Sequence, residues 1–122
     1  MATIFLSYRR TDSPQACRVH DWLTGRFGRD AVFMDVTAIP VAVDYTDYIA
    51  DAIADSRIMI VLIGRDWASR THSADDPVRS EIESAMRHKV PILPVLIGNT
   101  PMPDPENLPA SISALAFQNA VT

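Results

Sequence analysis

Two adjacent arginines follow an apolar segment near the start of the chain, in the stretch FLSYRRTD at residues 5–12. Guanidinium groups bind phosphates through paired N–H donors, and an aromatic ring can stack on a nucleotide base. Ser7, Tyr8, Arg9 and Arg10 are therefore predicted to bind a substrate that carries a base and a diphosphate. The alternative is that the two arginines are solvated or paired with Asp12 and Asp35.

A second pair of residues, Asp66 and Trp67, follows the most apolar segment of the chain, IMIVLI at residues 58–63. Parallel strands on either side of a reversal in winding direction direct their carboxyl-end loops into one crevice. Asp66 and Trp67 are therefore predicted to join the same substrate-binding crevice. For Trp67, packing in the core is an equally good interpretation.

Glu81 and Glu83 lie in PVRSEIESAM, where the apolar residues have helical spacing. With about 100° between successive residues, the two glutamates fall on opposite flanks of the apolar face. A carboxylate in the first turns is kept ionised by the positive end of the helix. The helical wheel does not choose between them, and a surface acid is the alternative for either.

The composition excludes several classes of protein. A chain of 122 residues with 48% apolar and 21% charged residues fits one domain with a single core. A formal charge of −4 argues against nucleic-acid binding through a basic surface, and no apolar run is long enough to cross a bilayer. With one cysteine and three scattered histidines, neither a disulfide nor a metal site is expected, and the expected compartment is the reducing cytoplasm.

The elements that would position these residues alternate between strand and helix. Strands are predicted at residues 3–6, 31–35, 57–64 and 90–98, with a last edge strand LAFQ at 115–118 after a helical turn at 110–113. Short links between such elements favour right-handed crossovers and a parallel sheet covered on both faces. The predicted fold is α/β, a flavodoxin-like three-layer sandwich with a five-stranded parallel sheet in the order 2-1-3-4-5.

Polar residues before each helix are candidate caps. Asp12 or Ser13 would cap the first helix, Asp44 the second, and Asp75 or Asp76 the third, which begins at a proline.

The first helix has an apolar stripe that would face the core, with Trp22 packed beside it. The stripe is formed by Ala16, Val19, Leu23 and Phe27, and Gly25 and Gly28 would end the helix.

Five segments follow one another along the chain: FLSYRR, FMD, a loop ending in IP, IMIVLIG with Asp-Trp, and RSEIESAM. In this order they resemble the Toll/interleukin-1 receptor (TIR) domain, especially its bacterial branch. The resemblance covers nearly the whole chain. It implies, for many members, NAD⁺ glycohydrolase activity with NAD⁺ as substrate and no cofactor. The family's catalytic glutamate then corresponds to Glu81, and Glu83 is a bystander. Phe33 is a further candidate pocket wall, with core packing as its equal alternative.

This reaction is consistent with a single carboxylate. Nicotinamide leaves the ribose as a neutral molecule, so no general acid is required, and Glu81 can stabilise the oxocarbenium-like charge that develops. Water or the adenine of the same molecule would then capture the cation, giving ADP-ribose or a cyclic isomer.

The resemblance also implies that TIR domains associate with one another to become active. The corresponding assembly loop comprises Asp35, Ile39, Pro40, Val41, Ala42, Val43 and Asp44, with Ala42 where family members commonly carry glycine. Many members continue into a closing helix, whereas this chain stops at Thr122. Residues 1–122 are therefore interpreted as a single TIR domain, the N-terminal part of a longer protein with a C-terminal sensor domain. For a bacterial member, the implied role is depletion of NAD⁺ in antiphage defence.

Three other functions are compatible with parts of this pattern. A non-enzymatic TIR adaptor would share the fold and act only through TIR–TIR contacts. A phosphoacceptor receiver domain would need an acidic pair after the first strand, where arginines stand instead. A nucleotide-processing transferase would use Glu81 as a nucleophile.

Overall fold

The structure, a computed structural model, describes residues 3–34, 45–73, 76–118 and 120. Within these residues a single parallel sheet has four strands in the order β2-β1-β3-β4. The strands are β1 (Ile4–Ser7), β2 (Val32–Phe33), β3 (Ile58–Ile63) and β4 (Ile92–Leu96). The winding direction reverses between β1 and β3, which creates a crevice at their carboxyl ends.

Helices connect the strands and cover both faces of the sheet. The α-helices are α1 (Ser13–Phe27), α2 (Tyr45–Asp55), α3 (Trp67–Arg70) and α4 (Pro77–Arg87). Short 3₁₀-helices occur at Arg10–Asp12, Pro105–Asn107 and Ala110–Phe117.

The core is divided between the two faces of the sheet. Alternate residues of a strand point to opposite faces, so Phe5 packs with α2, α4 and the last 3₁₀-helix, while Ile4 and Leu6 pack with α1. Strand β3 is almost entirely buried, as expected of a central parallel strand with both faces covered. The predicted three-layer α/β architecture is confirmed.

The predicted fifth strand is wrong. Residues 115–118 do not form a strand, because a 3₁₀-helix extends from Ala110 to Phe117. Ile112 and Leu115 are both 0% exposed. A spacing of three residues puts them on the same side of a 3₁₀-helix, whereas a strand would point them to opposite faces. Strand β4 is therefore the edge of the described sheet, which agrees with Pro94 within it and Pro91 just before it.

The first helix also differs from its prediction. Gly25 does not end α1, which continues to Phe27 and stops before Gly28, whose φ of 106° lies in the left-handed region. Trp22 and Phe27 are 62% and 60% exposed rather than packed. The buried residues of α1 are Ala16 and Leu23, so the stripe that packs on the sheet is narrower than predicted and ends before the helix does.

The start of α4 is the best-defined helix terminus. Asp76 is its N-cap, and its carboxylate accepts hydrogen bonds from the backbone N–H groups of Val78 and Arg79, both at 3.3 Å. Asp75 and Asp76 were the two predicted caps. The structure describes Asp76, which is the cap, whereas Asp75 lies outside the described residues. Asp12 occupies the N-cap position of α1, but its side chain makes no capping hydrogen bond.

Candidate active site

A cavity of about 630 Å³ opens at the carboxyl end of β1, between α2 and α4. Its volume lies in the usual range for small-molecule and cofactor sites. Several residues that the sequence predicted for the site line it: Tyr8, Arg9, Arg10, Phe33 and Glu81. The cavity at the carboxyl end of β1 therefore has a carboxyl group in its wall.

Glu81 is held against the end of β1. The hydroxyl of Ser7, which is itself 1% exposed, donates a hydrogen bond of 2.9 Å to Oε1 of Glu81. Burial raises the pKa of the Glu81 carboxyl to about 7, and the nearby charge of Asp76 adds to this rise. The expectation that the positive end of the helix keeps this carboxylate ionised is therefore wrong, because the effect of burial is larger. The hydrogen bond from Ser7 and the charge of Arg9 oppose the rise in pKa. A carboxyl group poised near neutral pH in a cavity wall is a feature typical of functional sites.

Glu83 faces away from this cavity. Its carboxylate accepts a hydrogen bond from Nε of Arg79 at 3.0 Å and another from the hydroxyl of Ser111 in the last 3₁₀-helix. The hydrogen bond from Ser111, the one from Arg79, and the charges of Arg79 and Arg87 hold the pKa of Glu83 below its ordinary value. The two glutamates therefore lie on opposite flanks of α4, as the helical wheel predicted, and only Glu81 reaches the cavity.

The two adjacent arginines have different environments. Arg9 is 6% exposed and forms a bidentate ion pair with Asp76. Its Nη1 donates to Oδ1 at 2.7 Å and its Nη2 donates to Oδ2 at 2.9 Å. Arg10 is exposed and lines the cavity, and the described residues offer it no ion pair. Of the pair, Arg10 is the one whose guanidinium group is available to a ligand. Asp76, which pairs with Arg9, is not one of the two carboxylates that the sequence suggested as partners, Asp12 and Asp35.

Arg70, at the end of α3, was not identified from the sequence. It is exposed and lines the same cavity as Arg10. Its position after β3 follows the same rule that predicted Asp66 and Trp67 for the crevice. A search for basic residues after β3 finds Arg70 together with Arg65, which lies at a separate hollow, so the sequence alone does not single out Arg70.

Aromatic side chains form part of the cavity wall. Phe33 stacks on Phe5 with ring centroids 5.2 Å apart, and its centroid is 6.0 Å from that of Tyr48. Phe33 both packs against the core and lines the cavity, so core packing and a place in the cavity wall are not exclusive alternatives for this residue. Tyr8 is half-buried and lines the cavity beside Arg9.

Asp66 and Trp67 do not line the cavity that contains Glu81. They lie at a separate hollow of about 290 Å³ together with Asp12. Trp67 is 1% exposed and belongs to the hydrophobic core, with the guanidinium carbon of Arg9 5.7 Å from the centre of its ring. Burial raises the pKa of Asp12, although Arg9 and Arg70 act in the opposite direction.

The predicted assembly loop, Asp35 and residues 39–44, lies outside the described residues. In the part of the chain that is described, no three His, Cys, Asp or Glu side chains are grouped as a metal ion would require. None of the described helices is both long enough and apolar enough to cross a membrane.

Comparison with known proteins supports the fold. No curated protein matches the sequence. The TIR domains in the structure of the activated Roq1 resistosome align with a TM-score of 0.68 and 19% identity, over 96% of this chain and 69% of that one. A metazoan TIR-STING receptor from C. gigas aligns with a TM-score of 0.62 and 20% identity, over 94% of this chain and 36% of the receptor chain. The family model for the TIR domain matches residues 4–121, and the chain therefore belongs to the TIR domain family.

Proposed function

We propose that this TIR domain is an NAD⁺ glycohydrolase in which Glu81 is the catalytic residue. The observation that carries the proposal is the position of the Glu81 carboxyl group, hydrogen-bonded to Ser7 in the wall of a cavity of about 630 Å³. The cavity lies at the carboxyl end of β1, one of the two strands that flank the strand reversal where folds of this class bind nucleotides.

The rest of the cavity suits a dinucleotide. Arg10 and Arg70 are exposed at its wall and would bind the diphosphate, because guanidinium groups form paired, charge-assisted hydrogen bonds to phosphate oxygens. Phe33 and Tyr8 offer aromatic surface on which a base can stack. Charge and aromatic surface are thus present together with the carboxyl group.

The reaction requires one carboxylate. As the bond between the ribose C1 and the nicotinamide nitrogen breaks, the ring nitrogen takes the electron pair and leaves neutral, while positive charge develops on the ribose. An ionised Glu81 close to this charge stabilises it more in the transition state than in the ground state. Water then adds to C1 and loses a proton to give ADP-ribose, or the adenine of the same molecule adds to give a cyclic isomer.

The raised pKa of Glu81, about 7, is compatible with this role. A carboxyl group near neutrality is only partly ionised in the free protein. The nicotinamide ring of NAD⁺ carries a positive charge, and a nearby opposite charge favours the ionised form of a carboxyl group. The substrate itself would therefore promote the catalytically active state of Glu81.

We further propose that association of TIR domains activates the enzyme. Support comes from the sequence resemblance and from the shared fold with the TIR domains of the activated Roq1 resistosome. A C-terminal sensor domain that drives this association, and a role in antiphage defence, are implied by the resemblance.

Release of nicotinamide from NAD⁺ by concentrated protein, with and without forced clustering, tests the proposal. We expect release that increases on clustering, accompanied by ADP-ribose or its cyclic isomer. Absence of nicotinamide under both conditions would contradict the proposal and favour the non-enzymatic adaptor. A glycosyl adduct on Glu81 detected by mass spectrometry would instead indicate the transferase chemistry.

A further inference from the structure

Arg9 connects three elements around the candidate active site. It follows β1, its Nη2 donates to the backbone carbonyl of Trp67 at the start of α3 at 2.9 Å, and both Nη atoms bind the N-cap of α4, Asp76. We infer that Arg9 and Asp76 are a positioning pair that holds Glu81 at the cavity wall, and that Arg9 is not a substrate ligand. The consequence for catalysis rests on the proposed function, whereas the positioning itself does not.

The geometry joins β1 to α4 at two points. The backbone of Arg9 is extended, with φ −91° and ψ 151°, so its side chain points to the same side of the chain as that of Ser7 two residues earlier. Ser7 contacts Glu81 and Arg9 contacts Asp76. The two acidic residues are five positions apart, which is about 7.5 Å along a helix axis. The Arg9–Asp76 pair therefore fixes the start of the helix, and with it the depth at which Glu81 enters the cavity.

The hydrogen-bonding capacity of Arg9 is largely used within the protein. Both Nη atoms donate to Asp76, and Nη2 also donates to Trp67. The side chains of Arg9 and Asp76 are 6% and 4% exposed. Nε of Arg9 is buried and has no hydrogen-bond partner among the described residues, but a substrate phosphate could form the usual paired contact with both Nη atoms only by breaking this buried ion pair, which would leave the charge of Asp76 uncompensated. Arg10 and Arg70 present guanidinium groups without that cost.

The pair also acts on the charge of Glu81. Asp76 raises the pKa of the Glu81 carboxyl and Arg9 lowers it, so the two effects oppose each other while the pair is intact. The ionisable groups that act on Glu81 from the packed elements are these two, and Ser7 supplies the hydrogen bond. Removing one member at a time therefore shifts the pKa of Glu81 in opposite directions.

The experiment compares Arg9→Met, Asp76→Asn and the double variant with wild type. Asparagine is a strong N-cap, so Asp76→Asn keeps a capping hydrogen bond and removes the charge that pairs with Arg9 and anchors the helix to β1. The double variant buries no unpaired charge and provides a folded sample if Arg9→Met alone does not fold. Arg87→Met is the matched control, because it removes an exposed positive charge from the last turn of the same helix. The readouts are NMR titration of the Glu81 carboxyl carbon, and kcat and KM for NAD⁺.

The expected result is a pKa of Glu81 that falls in Asp76→Asn, rises in Arg9→Met and returns towards wild type in the double variant. In both single variants kcat falls, by roughly a hundredfold for a displacement of about 1 Å, while KM changes little. A rise in KM with unchanged kcat in Arg9→Met would overturn the inference, because it would make Arg9 a substrate ligand. Equal pKa values in all variants would also overturn it. The NMR titration tests the effect of the pair on Glu81 even if wild type proves not to cleave NAD⁺.

Discussion

Ser7 and Glu81 meet across 74 positions of the sequence, and the hydroxyl of the first donates to the carboxyl of the second at 2.9 Å. Ser7 is the last residue of β1, and Glu81 lies in the second turn of α4. Their contact joins the end of the sheet to the helix that follows β3. It also distinguishes Glu81 from Glu83, which is bound to Arg79 and Ser111 on the other side of the same helix.

Replacement of Glu81 by glutamine should abolish NAD⁺ cleavage and leave the fold intact. Glutamine has nearly the same shape and still accepts a hydrogen bond from Ser7, but it cannot provide the negative charge that stabilises an oxocarbenium-like transition state. The measurement is nicotinamide release together with a thermal melt. Glu83→Gln is the control and should retain activity. Full activity in Glu81→Gln would remove this residue from the mechanism.

Replacement of Ser7 by alanine should shift the pH dependence of NAD⁺ cleavage to higher pH. The Ser7 hydrogen bond lowers the pKa of Glu81, so its loss raises that pKa above about 7 and makes the carboxylate scarcer at neutral pH. The measurement is kcat/KM from pH 5 to 9, which reports ionisations of the free enzyme. Ser111→Ala, which removes the corresponding hydrogen bond to Glu83, should leave the profile unchanged. An unshifted profile in Ser7→Ala would contradict the prediction.

The sequence predicted those parts of the fold that depend on local pattern. The continuous apolar run of β3 and the stripe on α4 identified a buried strand and an amphipathic helix, and both formed as expected. The last 3₁₀-helix was harder to predict, because LAFQ is apolar enough for a strand. Its conformation depends on burying Ile112 and Leu115 together against one face of the sheet, which is a property of the tertiary structure.

The site shows the same division between local and tertiary information. The helical wheel put Glu81 and Glu83 on opposite flanks but could not say which flank faces β1, and the choice came from the family resemblance. Arg9 and Arg10 are identical neighbours in the sequence, and only the position of Asp76 makes one of them buried and paired. For Trp67 the sequence favoured neither a position in the crevice nor one in the core, and its burial in the structure places it in the core.

The pKa of Glu81 predicts a pH dependence of folding stability. A folded pKa of about 7 against an ordinary value of 4.5 means that, between these values, the folded protein binds a proton that the unfolded chain has released. The free energy of unfolding should therefore fall as pH rises through this window, by about 3 kcal/mol from this one group, and level off above it. Below the lower value both states are protonated and the effect disappears.

Urea unfolding at pH 4, 6 and 8 measures this effect. In Glu81→Gln the group cannot ionise, so the variant should gain stability relative to wild type as pH increases. Glu83→Gln should not show this gain, because the folded pKa of Glu83 is lowered rather than raised. A stability difference between Glu81→Gln and wild type that is constant with pH would show that Glu81 has an ordinary pKa.

Replacement of Arg10 or Arg70 by glutamine should weaken NAD⁺ binding with little change in kcat. Each loses a charge-assisted interaction of about 1.5–3 kcal/mol with the diphosphate, which corresponds to at least a tenfold rise in KM. Inhibition by ADP should weaken to the same extent, whereas inhibition by adenosine, which has no phosphate, should not change. Arg18→Gln is the control, because Arg18 is equally exposed on α1 and does not line the cavity. If adenosine and ADP are affected alike, these arginines shape the cavity rather than bind the diphosphate.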